Sequence, residues 1–155
     1  MRVSDYMTPN PLTISPADSL RTAIDQMVKV GRRLPVINDQ GELVGIITDR
    51  DLRLVVNSPL ILRERWQDEV LLTQTNVGAI MSSPVITIEP DAWVDQAAKL
   101  MLDSQISGLP VVKANKLVGI ITVSDLLRAL TALMAKEEIS QDKKFLRSQP
   151  CTNEL

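Results

Sequence analysis

Apolar residues recur along this chain in two rhythms, and the same succession of rhythms occurs twice. Leu20, Ala23, Ile24, Met27 and Val28 stand at i, i+3, i+4, i+7 and i+8, and Val94, Ala97, Ala98, Met101 and Leu102 repeat that spacing. Such a stripe predicts a helix with one buried face. Each stripe is followed by two short runs that read as strands, Leu34–Ile37 with Leu43–Ile47, then Leu109-Pro110-Val111 with Leu117–Ile121. Asn38-Asp39-Gln40-Gly41 makes a good hairpin turn between the first pair, and Lys113-Ala114-Asn115-Lys116 relies on Asn115 for its awkward dihedral. A short extended piece, Leu12–Ile14 or Val85–Ile88, precedes each stripe, and a second helix is expected to start at Thr48 or Thr122. The unit is therefore β-α-β-β-α, an α+β arrangement.

The two units are copies. Val3 to Leu52 lies over Val77 to Leu126 at an offset of 74, with a one-residue insertion and a matching deletion, and eighteen positions are identical. Two copies are too few for a solenoid, which needs three or more, so a pseudo-two-fold pair packed sheet to sheet is expected. The expected division is residues 1–56 for the first repeat, 57–76 for a helical or crossover linker, 77–136 for the second repeat and 137–155 for a polar tail that frays. Leu126, Leu127, Leu130, Leu133 and Met134 offer more apolar surface than one stripe. Either the monomer covers them or a dimer partner does.

Composition narrows the functional classes. The 155 residues are 45% hydrophobic and 23% charged, which fits a globular domain. With 17 basic and 19 acidic residues interspersed, the net charge of −2 offers no basic field for a nucleic acid. Tyr6, Trp66, Trp93 and Phe145 are the only aromatic residues, which argues against a base-stacking platform, and Trp66 and Trp93 are expected to serve packing or a rim. The charged stretch Arg63–Glu69 reads as a solvated face. No apolar run approaches the ~20 residues of a membrane span, and the first residues show no signal peptide. The single cysteine, Cys151, fits a reducing cytoplasm. The chain has no histidine, which removes the commonest general base and metal ligand; Asp, Glu, Ser and Lys leave catalysis open by other routes, but no catalytic residue and no metal site is singled out.

The remaining chemistry sits in Gly-Ile-Ile-Thr-x-x-Asp-Leu, present at Gly45–Leu52 and again at Gly119–Leu126. Thr-x-x-Asp ahead of an apolar helix is close to a capping box, and a strand glycine can simply permit close packing. The same residues also suit a nucleoside phosphate. A helix N-terminus presents unpaired N–H groups to a phosphate, threonine adds a hydroxyl, and an Asp at the helix entrance can accept from ribose hydroxyls. Leu-Pro-Val supplies an apolar wall for a base, and Arg32, Arg33 and Arg50 stand near in sequence.

Two copies of Leu-Pro-Val followed by Leu-Val-Gly-Ile-Ile-Thr-x-x-Asp-Leu, each after a Met-x5-Thr-Ile opening, resemble a tandem pair of cystathionine β-synthase (CBS) domains, a Bateman module. The resemblance covers residues 1 to about 134 and is similar in finer detail to free-standing bacterial CBS-pair proteins, including acetoin-utilisation ones. It implies two clefts, each taking Thr-x-x-Asp from one repeat and the opening strand and Leu-Pro from the other. One cleft would hold Leu12, Arg33, Leu34 and Pro35 with Thr122, Ser124 and Asp125. The other would hold Ile86, Gly108, Leu109 and Pro110 with Thr48, Arg50 and Asp51.

In each cleft Asp would take the ribose, Thr and Arg the phosphate, and the backbone near Leu-Pro the adenine edge. Because Arg33 has only Gly108 as its counterpart, with Arg50 as the compensating charge in the other cleft, and because Asp49 would oppose extra phosphates where Val123 would not, the Asp125 cleft is expected to bind more tightly and to tolerate a longer phosphate chain. The resemblance further implies a non-catalytic module that senses AMP, ADP or ATP, with S-adenosylmethionine or NAD as further candidates and no required cofactor. It would act through a homodimer or a separate effector protein. The competing readings are a ligand-free dimerisation or docking module and, with less support, a nucleotide hydrolase.

Overall fold

Ser19 and Gly31 set the ends of the first long helix. Ser19 is extended (φ −75°, ψ 159°) and its Oγ accepts from the Thr22 N–H at 3.2 Å, while Gly31, at φ 108°, closes the last turn through its N–H to the Met27 carbonyl. This is the capping a sequence of this kind predicts, a short polar cap before the stripe and glycine behind it.

The computed structural model describes residues 1–56 and 65–147. Its elements run α1 (Val3–Tyr6), β1 (Thr8–Pro9), α2 (Leu20–Val30), β2 (Arg33–Ile37), β3 (Leu43–Thr48), α3 (Asp49–Val56), α4 (Arg65–Gln74), α5 (Val77–Ile80), α6 (Val94–Asp103), β4 (Gly108–Lys113), β5 (Lys116–Thr122) and α7 (Val123–Arg147). Each repeat carries an antiparallel hairpin in the same register. Leu34 pairs with Ile47 and Val36 with Gly45, and Leu109 pairs with Ile121 and Val111 with Gly119. Both hairpins break register at the same place, between Val36 and Ile37 and between Val111 and Val112.

The opening segments are where the structure adds most. The extended pieces expected at Leu12–Ile14 and Val85–Ile88 reduce to single parallel bridges, Ile14 to Val36 and Ile88 to Val111. Prolines at 11, 16, 84 and 90 lack the N–H groups a longer ladder would need. The residues ahead of them cross to the opposite repeat. β1 pairs with β5, Thr8 facing Ile120, and Ser82 bridges Ile46. The Val3 N–H donates to the Ala92 carbonyl (2.9 Å), and the Val77 N–H donates to the Asp18 carbonyl (2.8 Å).

The cores follow this exchange. Val77 sits fully buried among Ile14, Leu20, Leu34, Val36 and Ile47 of the first repeat. Val3 sits among Ala97, Met101, Leu109, Val111 and Ile121 of the second. Burying one such valine stabilises by roughly 1.5–3 kcal/mol, so each repeat depends on the other for part of its core.

Glycine in the strand motif makes room for the crossing chain. A Cβ on Gly45 would stand 2.4 Å from Met81 Sδ, and one on Gly119 would stand 2.5 Å from Met7 Sδ and 3.0 Å from the Thr8 carbonyl oxygen. Helix α4 falls in the expected linker and sends Leu72 into the first core, while residues 57–64 lie outside the described residues. An Arg21–Glu69 ion pair ties α2 to α4. The solvated stretch expected at Arg63–Glu69 is described only in part, and the Trp66 side chain lies outside the described residues.

Helix α7 does not end at 136, as the polar tail would suggest, but runs to Arg147. Its continuation is built from good helix formers, and no glycine or proline interrupts the sequence before Pro150. Cys151 lies outside the described residues. Leu126 and Ala129 pack inward, whereas Leu127, Leu130, Leu133 and Met134 are exposed in the single chain.

Candidate functional site

Both Thr-x-x-Asp motifs stand where a strand hands over to a helix. Thr48 ends β3 and Thr122 ends β5, so the motif's aspartate falls on the first turn of α3 or α7. In the first repeat the Thr48 N–H and hydroxyl both donate to Asp51 Oδ2, at 2.8 and 2.9 Å. The Asp51 N–H returns a bond to Thr48 Oγ1 at 3.3 Å, so the capping box is present. In the second repeat the Thr122 N–H and hydroxyl donate to Asp125 Oδ2, at 2.7 and 2.8 Å.

Around Asp51 a cavity of about 540 Å³ opens between the repeats. That is within the range of small-molecule sites. Thr48, Arg50 and Asp51 line it from the first repeat, and Ile86, Gly108 and Pro110 line it from the second. These are residues that the sequence grouped as one cleft. Leu109, grouped with them, is fully buried in the second core instead. The strand alternates, so residues flanking Leu109 face the cleft while Leu109 faces inward.

The sequence did not single out Ser107, which also lines the cavity, or Leu54 and Ile46. Leu54 could have been found from its position three residues after Asp51, on the same helical face.

The other group is placed differently. Thr122 and Asp125 are in contact, Ser124 and Leu12 are exposed, and Leu34 and Pro35 are fully buried. Arg33 is not with them: its side chain lines the Asp51 cavity and its guanidinium hydrogen-bonds Ser107 Oγ. The cause lies at the pseudo-two-fold axis. Arg33 and Gly108 occupy equivalent positions, and a Cβ on Gly108 would stand only 3.0 Å from Arg33 Cδ and Nε. The missing side chain leaves the space that Arg33 fills, so the argument for the Asp125 cleft from Arg33 reverses.

Electrostatics sharpen the difference. Arg33 is half-buried, and desolvation holds its guanidinium below its ordinary pKa, opposed by nearby Asp49 and assisted by Arg32. Asp49 does not act as an isolated negative charge toward a phosphate. Its carboxylate accepts from Arg53 Nη2 at 2.6 Å and has Arg32 Nε 3.9 Å away. The cavity therefore presents two guanidinia, Arg33 on a neutral hydroxyl and Arg50 exposed, beside a carboxylate already bonded to Thr48. Among the described residues, no three acidic or cysteine side chains gather as a metal would require.

The comparisons agree with this architecture. The family model for the CBS domain matches residues 3–58 and 77–132. The chain belongs to the CBS domain family and carries the domain twice.

It is 37% identical over 134 residues to a CBS domain-containing protein of Dictyostelium discoideum, covering 85% of this chain and 92% of that one. It is 42% identical to an uncharacterised protein of Methanopyrus kandleri, of whose length the match spans about half (52%). Among solved structures it resembles a putative acetoin utilization protein (AcuB) from Vibrio cholerae, with TM-score 0.72, 28% identity and coverage of 97% and 98% of the two chains. CBSX2 in complex with AMP matches with TM-score 0.70 and 33% identity over 84% of this chain and 97% of that one. The CBS domain pair of MJ0100, in complex with 5′-methylthioadenosine and S-adenosyl-L-methionine, matches with TM-score 0.70 and 30% identity, covering 85% and 97%. No helix among the described residues is long and apolar enough to cross a membrane.

Proposed function

We propose that this chain is a non-catalytic regulatory module that binds an adenosine-containing ligand, AMP, ADP or ATP foremost, in the cleft between its repeats. The observation that carries this reading is the cavity at Asp51. It joins a helix entrance, an acidic side chain with one oxygen outside the capping bonds, and two guanidinium groups within one 540 Å³ space. Asp51 accepts the ribose hydroxyls, Thr48 and the start of α3 meet a phosphate, and Arg33 and Arg50 neutralise its charge. Gly108 and Pro110 bring the second repeat's backbone to the base. The neighbours solved with AMP, S-adenosyl-L-methionine and methylthioadenosine support the adenosine class.

Ligand spans both repeats, so it favours whichever inter-repeat angle lets both sides touch it, and that angle is the output. A second copy of the chain on the exposed α7 face, or a separate effector, receives that output. The capping bonds in both motifs support the second reading, a docking module that binds no nucleotide.

A thermal-shift panel of AMP, ADP, ATP, S-adenosylmethionine, NAD and GTP separates the two. Ligand at 100 times its dissociation constant adds about 2.7 kcal/mol, or roughly 5–10 °C for a chain of this size. The expected result is a shift confined to adenosine compounds and lost in Asp51→Ala. No shift with any of them overturns the proposal in favour of docking.

A further inference from the structure

The two motifs differ three residues past the aspartate, and that difference falls on the atom a ribose would use. In both motifs Oδ2 is committed to the threonine, through two bonds from Thr48 or from Thr122. A diol must therefore compete for Oδ1. Asp125 Oδ1 already accepts from Arg128 Nη2 at 2.6 Å, and Asp125 is the one charged residue buried among the described residues, 2% exposed. At the equivalent position the first repeat has Leu54, which cannot donate, and among the described residues Asp51 Oδ1 has no hydrogen-bond partner.

The Arg128 side chain is 70% exposed, but Asp125 is buried, and a neutral ribose hydroxyl that displaced the guanidinium would leave that carboxylate without its charged partner, so the exchange brings no gain. The same cleft has also lost Arg33 across the axis, to the space above Gly108.

Resting on the adenosine reading above, we infer that each chain holds a single working nucleoside site, at Asp51, and that Arg128 closes the second by standing in for the ribose. Leu54 is then the residue that keeps the first cleft open. The inference concerns stoichiometry and specificity, since both clefts share the Thr-x-x-Asp signature and the residue three positions past its aspartate, Leu54 or Arg128, decides whether the free oxygen is taken.

Isothermal titration calorimetry with adenosine and AMP tests it, on the full chain. Adenosine carries no phosphate and so isolates the ribose contact from the charge changes. The wild type should bind one molecule per chain, and Asp51→Ala should bind none. Arg128→Leu, which copies the first repeat, should gain a second molecule per chain. Since that change strands a buried carboxylate and can unfold the helix start, the reciprocal Leu54→Arg is measured beside it. Leu54 is 68% exposed and accepts an arginine without burial. Leu54→Arg should weaken adenosine binding by about tenfold, the loss of one good hydrogen bond. Two molecules bound per wild-type chain overturn the inference and leave the adenosine reading standing, as does unchanged adenosine affinity in Leu54→Arg. Wild-type chain that binds neither compound overturns both.

Discussion

Adding one methyl group to the motif's glycine tests how tightly the repeats are threaded together. In Gly45→Ala the three atoms nearest the new Cβ all belong to one flexible side chain, Met81 Sδ (2.4 Å), Cγ (2.8 Å) and Cβ (3.2 Å). In Gly119→Ala it meets Met7 Sδ at 2.5 Å, but also the Thr8 carbonyl oxygen at 3.0 Å, and Thr8 is held in the β1–β5 pairing. Real Cβ atoms essentially never approach another heavy atom within 3.0 Å, so the methionine sulfur must move in both variants.

Overpacking of this kind costs about 1–3 kcal/mol, which lowers Tm by about 3–10 °C in a chain of this length. Gly119→Ala should stand at the upper end, because a carbonyl in a strand yields less than a thioether. Urea unfolding followed by far-ultraviolet circular dichroism measures both, with an unchanged slope as the check that the native state is intact. The decisive comparison is a double-mutant cycle. Met81→Ala should cost clearly less in the Gly45→Ala background than in the wild type, with a coupling of about 1–2 kcal/mol, whereas Met7→Ala should relieve Gly119→Ala only in part. Additivity within about 0.5 kcal/mol in the Gly45 cycle would refute the reasoning.

Two further outcomes follow from geometry already described. The turn between β4 and β5 puts both Ala114 (φ 49°) and Asn115 (φ 61°) in the left-handed region, as a two-residue hairpin turn demands, and alanine is strained there. Ala114→Asn should therefore raise stability by about 0.5–1 kcal/mol in the same urea assay, and a loss would mean the turn differs from this. The exposed Leu127, Leu130 and Leu133 border an apolar groove of about 510 Å³ with Trp93, whose ring carries Arg2 at 3.5 Å. If a second copy covers that face, Leu130→Glu should shift sedimentation from dimer to monomer without lowering the monomer's helical signal, whereas unchanged sedimentation would remove α7 from the interface.

Much of this fold was legible because the sequence states it twice. The stripe from Leu20 to Val28 and its copy from Val94 define α2 and α6, and the paired Leu-Pro-Val and Leu-Val-Gly-Ile-Ile runs define hairpins whose registers agree residue for residue. The crossing of the opening segments was not legible. Val3 and Val77 read only as apolar residues at the front of a repeat, and a periodicity says that a residue is buried without saying in whose core. Thr48, Arg50, Asp51, Ile86, Gly108 and Pro110, grouped through the resemblance to CBS pairs, line one cavity, whereas Leu109 of the same group is buried in the core. Arg33 was assigned to the wrong side because pseudo-symmetry was applied to a position where the symmetry is broken. An arginine opposite a glycine reaches past the axis, and no spacing rule carries that. Arg128 was visible in the sequence at i+3 from Asp125 but was not read as a partner.

The exchanged openings bear on how such a chain could have arisen. One repeat cut free would lack a valine at its centre and an edge for its hairpin, while offering its own opening segment to any copy nearby. A single-repeat ancestor could satisfy both needs only by trading arms with a twin, as a symmetric swapped dimer. Tandem duplication would then have turned a meeting of two molecules into a fold-back within one, at an effective concentration set by residues 57–76 rather than by expression level. After that step the two halves are free to differ, as they do where one carries Leu54 and the other Arg128.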